Sequence, residues 1–88
     1  MTKNILIAED DEDIVGLLRL YLEKDGYKVI SVDNGEDAFK IVKNSQISLA
    51  LLDIMMPKMN GYELTKKIRG ITNIPIIILS AKTLDSEK

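Results

Sequence analysis

Four positions concentrate the oxygen chemistry of this sequence: the pair Glu9-Asp10 after "NILIA", Asp53 closing "SLALLD", and Ser80 closing "IPIIILS". Aspartate is depleted in strands and costly to bury, so an apolar run that delivers one acid and turns at once needs a reason. If the runs ending at Glu9-Asp10 and at Asp53 are neighbouring strands, their carboxylates converge in one crevice. Three carboxylates brought together repel and raise one another's pKa unless a cation joins them. Oxygen donors alone, few in number and leaving room for water, suit Mg²⁺ better than zinc or copper. A carboxylate beside Mg²⁺ is also a nucleophile, able to form an aspartyl phosphate.

Composition removes several competing chemistries. The 88 residues contain neither Cys nor His, which excludes disulfides, thiolate or imidazole metal sites and His-based acid–base catalysis. Net charge is −2 and the 12 basic residues are scattered, so direct nucleic-acid binding by this segment is not expected. No stretch approaches the ~18 apolar residues of a membrane span. "MTKNILIAEDDED" meets acid after a very short apolar run, unlike a secretory leader, and a cytoplasmic location is expected.

The elements that must position these groups alternate in period. "NILIA" (4–8) reads as a strand buried on both faces. Ile14, Leu17, Leu18, Tyr21 and Leu22 form a helical stripe, stopped at "KDG" with Gly26 as a left-handed cap. "YKVISV" (27–32) is a second strand, and "DNG" starts a helix capped by Asn34 and carrying Ala38, Ile41 and Val42. "SLALLD" (48–53) is strand three, followed by a helix with Leu64 and Ile68. "IPIIILS" (74–80) is strand four with Pro75 at its start, and "AKTLDSEK" (81–88) begins another helix. Such βα alternation predicts an α/β fold, a parallel sheet with helices on both faces, whose ligands bind beyond the carboxyl ends of the strands.

Together "ILIAEDD" with its following helix, "LLDIMMPKMNGYEL" and "IPIIILSAK" resemble the receiver domain of two-component response regulators, most of all those of winged-helix transcriptional regulators. The resemblance spans the chain. It implies a doubly wound parallel sheet of flavodoxin-like order 2-1-3-4, with the fifth strand and last helix missing, so that residues 1–88 form an incomplete receiver domain. By position it makes Asp53 the phosphoacceptor, and Glu9, Asp10 and Asp53 the Mg²⁺ ligands, with the Met55 backbone carbonyl as a further one. Ser80 matches the hydroxyl that hydrogen-bonds the phosphoryl group and moves on activation. Pro57 and Gly61 match turn residues, with Lys58 in the same loop. The family's lysine after strand five has no counterpart here, since Lys82 follows strand four.

The function so implied is that of a signalling domain, not an enzyme in its own right, phosphorylated by a sensor histidine kinase. One rival is a receiver-shaped interaction or dimerisation module that is not phosphorylated. Another is an Mg²⁺-dependent phosphatase using Asp11-x-Asp13. A further expectation is self-association through the edge of strand four, "PIIIL" (75–79). Without any ligand, "EDDED" (9–13) also suits the positive end of a helix dipole, and Asp33, after the outermost strand, reads as a solvated turn residue.

Overall fold

The computed structural model describes residues 3–56 and 58–79. Ser80, Pro57 and the helix expected from residue 81 lie outside the described residues. The elements run β1 (Asn4–Ala8), α1 (Glu12–Lys24), β2 (Lys28–Val32), α2 (Gly35–Asn44), β3 (Leu49–Asp53), α3 (Gly61–Arg69) and β4 (Ile76–Leu79). All pairings are parallel and the strand order is β2-β1-β3-β4, the order implied by the resemblance.

Strand β1 lies inside the sheet, and its Ile5, Leu6, Ile7 and Ala8 are all buried. Alternation sends Leu6 and Ala8 to one face and Ile5 and Ile7 to the other. On the first face they join Ala50 and Leu52 under Ala38 and Val42 of α2 and Leu64 and Ile68 of α3. On the second, Val29 and Leu51 complete a smaller cluster against Val15, Leu18 and Leu22 of α1. Strand β4 begins at Ile76, one residue after Pro75, whose carbonyl accepts from the Ala50 N–H at 3.1 Å.

The helices start and stop by side-chain and glycine chemistry. Asp11 caps α1 by accepting from the N–H groups of Asp13 and Ile14, and Asn34 caps α2 by accepting from that of Asp37. Asn60 caps α3 through the Glu63 N–H at 2.9 Å. At the end of α1, Gly26 takes φ +94°, and the N–H groups of Gly26 and Tyr27 return to the carbonyls of Glu23 and Leu22. This double bond pattern needs the left-handed residue that glycine supplies.

One expectation is corrected. The stripe of α1 that meets the sheet is Val15, Leu18 and Leu22, whereas Leu17 and Tyr21 are 55% and 61% exposed. Arg19 supplies the physical reason. Its guanidinium donates to the Val29 carbonyl at 3.2 Å and to Ser31 Oγ at 2.8 Å, drawing that flank of α1 onto β2. Leu17 and Tyr21, two positions either side of Arg19, are thereby turned to the opposite flank.

Candidate functional site

The register explains how the acids meet. Ala8 pairs with Leu52, so the residues that follow, Glu9 and Asp53, leave the sheet side by side. One carboxylate oxygen from each of Glu9, Asp10 and Asp53 lies within 4.8 Å of the others. The three differ in exposure: Glu9 is buried, Asp53 half-buried and Asp10 exposed.

Glu9 is held from both ends. Its N–H donates to the Val32 carbonyl at 3.0 Å, continuing the β1–β2 ladder by one bond, and its Oε2 accepts from the Asp11 N–H at 3.0 Å. Burial pushes its carboxyl up from an ordinary 4.5 to about 7, with the negative charges of Asp53 and Asp10 adding to the rise and the Asp11 N–H opposing it. A carboxyl in that condition is short of positive charge. An all-oxygen donor set, converging and electrostatically undercompensated, fits a hard divalent cation such as Mg²⁺.

The loop after Asp53 is folded tightly against its own strand. The Ile54 carbonyl accepts from the N–H groups of Met56 at 3.2 Å and Gly61 at 3.0 Å. A Cβ at Gly61 would stand 2.7 Å from the Asp53 carbonyl oxygen and 3.0 Å from the Ile54 Cα, so only glycine lets α3 begin this close to Asp53. Met56 packs into the core and Met59 against it, while the Met55 side chain is exposed. That pattern leaves Met55 no packing role and is compatible with a contribution from its backbone alone.

Asp11 and Asp13 do not join the cluster. The Asp11 carboxylate caps α1, and Asp13 is exposed in the first turn of that helix. Asp33 is exposed, as expected, with a carboxylate oxygen accepting from the Asn34 side-chain amide at 2.9 Å. Sequence reasoning missed that a cleft of about 500 Å³ runs from Glu9 and Asp10 past Glu12 and Ser31 to Asp33 and Asp37. The available signal was the position of Asp33 at the same end of the sheet as Glu9. For Ser80 the structure gives only the approach: its predecessor Leu79 is in register with Asp53.

With this geometry in place, residues 5–88 match the family model described as the response regulator receiver domain. The chain belongs to that family. It is a receiver domain of a two-component response regulator. It is 43% identical over its whole length to response regulator GtcR of Aneurinibacillus migulanus, covering 36% of that protein. To response regulator SaeR of Staphylococcus aureus it is 40% identical over 96% of the chain and 37% of the relative. The chain thus spans about a third of the length of these curated relatives. Among solved structures, the receiver domain of a Pseudomonas aeruginosa sensor histidine kinase, with a magnesium ion in its active-site cleft, aligns at a TM-score of 0.87 and 30% identity. That alignment covers all of this chain and 76% of the other. Response regulator TrrA of Thermotoga maritima, in complex with Mg²⁺-BeF, aligns at 0.84 and 36% identity over 91% of this chain and 70% of its own.

Proposed function

We propose that this chain acts in the cytoplasm, where Asp53 accepts a phosphoryl group from the phosphohistidine of a sensor histidine kinase, with Mg²⁺ held by Glu9, Asp10, Asp53 and the Met55 carbonyl. The observation that carries this reading is the convergence of three carboxylates within 4.8 Å at the ends of two adjacent strands. An Asp53 carboxylate oxygen attacks the phosphorus as the phosphorus–nitrogen bond of the donor breaks. The electron pair returns to the imidazole, which takes up a proton from solvent. Mg²⁺, when bound, supplies positive charge to the transferring phosphoryl oxygens, the chief requirement of this reaction. Glu9 and Asp10 hold charge at a fixed place, the Ile54 turn aims Asp53, and Ser80 donates to the phosphoryl group by the family pattern.

A Mg²⁺-dependent phosphatase built on Asp11 is disfavoured, because that carboxylate already accepts two N–H groups of α1. A receiver-shaped module that is never phosphorylated has no use for the Glu9–Asp10–Asp53 convergence. Self-association through β4 is a separate part of the proposal. Among the described residues β4 pairs only with β3, and Ile77 at its centre is 50% exposed. Light scattering after size exclusion tests it over a wide concentration range, and a monomer throughout would refute it.

Asp53→Asn keeps the shape and removes the nucleophile, so labelling by a small phosphodonor should vanish. Label persisting in that variant would assign the chemistry to another residue. Mg²⁺ titration followed by amide NMR should shift residues 9–11 and 53–55, and changes confined elsewhere would refute the metal site. Because Glu9 titrates near 7, its ionisation should strengthen Mg²⁺ binding as pH rises from about 6 to about 8. The sign for the metal-free fold is opposite. A raised carboxyl contributes stability that is fully present below 4.5 and lost as pH rises through about 7.

A further inference from the structure

The loop that follows Asp53 touches a second helix start as well as its own. A Cβ built at Gly35, the first residue of α2, would overlap the Met59 carbonyl oxygen and lie 2.7 Å from the Met59 Cβ and 3.1 Å from its carbonyl carbon. Backbone does not yield to contacts that short, so the loop rests on α2 at a separation only glycine allows. Gly35 is itself fixed. The preceding Asn34 is buried, accepts from the Asp37 N–H at 2.8 Å, and donates to the Asp33 and Asp37 carboxylates at 2.9 and 3.0 Å.

A separate contact joins the same two segments. Lys58, immediately before Met59, takes φ +71°, and its Nζ stands 4.0 Å from Glu36 Oε1, immediately after Gly35. A lysine in the left-handed region is uncommon and costs energy that its surroundings must offset. At the far end of the loop Gly61 abuts the Asp53 carbonyl. The segment is therefore gripped between two glycines, one of them distant in sequence.

We propose that Gly35 is a positioning residue for the phosphoacceptor loop. By admitting the Met59 backbone it sets the course of residues 54–56 and 58–60, and with it the aim of Asp53 and of the Met55 carbonyl. The inference rests on the roles given to Asp53 and Met55 above. It also makes the start of α2 responsive to the state of the loop, because a shift of Met59 has no slack to absorb it at Gly35.

Gly35→Ala tests this against Val42→Ala, which removes buried volume from the same helix seven residues further along. In metal-free protein, Gly35→Ala should move the amide resonances of residues 53–56 and 58–60, and Mg²⁺ affinity should then fall on the order of tenfold, as when a supporting contact of a metal site is lost. Val42→Ala should lower stability but leave both readouts as in the unmodified protein. Should Gly35→Ala fail to fold, Met59→Gly alone decides: residues 53–56 and 58 should exchange their amide protons faster. Unmoved loop resonances in Gly35→Ala, unchanged Mg²⁺ affinity, an equal effect in Val42→Ala, or unchanged exchange in Met59→Gly would each overturn the proposal. Absence of any Mg²⁺ response in the unmodified protein would instead refute the metal assignment, and the metal-free loop resonances would still decide the role of Gly35.

Discussion

Under α2 and α3 the sheet contributes to a cluster of ten buried residues, whereas under α1 the described cluster has four. The contrast does not follow helix length. The 13 residues of α1 include none that is buried, while the nine of α3 bury Gly61, Leu64 and Ile68. Among the described residues α2 and α3 lie side by side and close the gap between them, whereas α1 has no helix beside it and both its flanks stay wet. Among the described residues, the depth of a helix thus follows what lies beside it more than its own apolar content.

Four substitutions, in descending order of expected effect, measure that contrast. Leu64→Ala removes a fully buried side chain between α3 and the sheet and should cost about 2–5 kcal/mol in urea unfolding. Leu18→Ala, half-buried on the other face, should cost on the order of 1–2 kcal/mol. An equal loss in these two variants would break the comparison. Arg19→Ala deletes two hydrogen bonds from α1 to β2 and should cost about 1 kcal/mol, with faster amide exchange in α1 as the accompanying sign. Tyr21→Ser, on the exposed flank of α1, should change stability by no more than about 0.5 kcal/mol. A large loss there would mean that this flank is covered in solution.

The same contrast explains what could be read in the sequence. Strands β1 and β3 were legible because residues buried on both faces make unbroken apolar runs, and the acids at their ends stand out against them. The strand order and the individual roles of Asp53, Glu9, Asp10, Met55 and Ser80 came instead from the family pattern. On α1 the apolar residues Ile14, Val15, Leu17, Leu18, Leu20, Tyr21 and Leu22 surround much of the helix, so periodicity alone could not choose the packed stripe. Arg19 made that choice by a contact with β2, which no local pattern encodes. Glu9 and Asp10, adjacent and chemically alike, differ because one continues the ladder to Val32 and is buried while the other is left in water. The Gly35–Met59 contact joins residues 24 positions apart, and a glycine after Asn34 is equally well explained by a simple turn.

The Arg19 guanidinium has a bearing on stoichiometry. The Lys28 N–H and the Val32 carbonyl face β1, so the alternation of a parallel strand turns the Val29 carbonyl to the sheet's outer margin, where Arg19 occupies it. A strand arriving from outside finds that acceptor taken and a helix side chain in its path. At the opposite margin, no described residue stands in the way of β4. Among the described residues, the two margins of the sheet therefore differ in how they would receive an added strand. Were two copies to pair through β4, as proposed above, each would turn outward its β2 margin, where Arg19 holds the Val29 carbonyl, and strand addition would then stop at a pair.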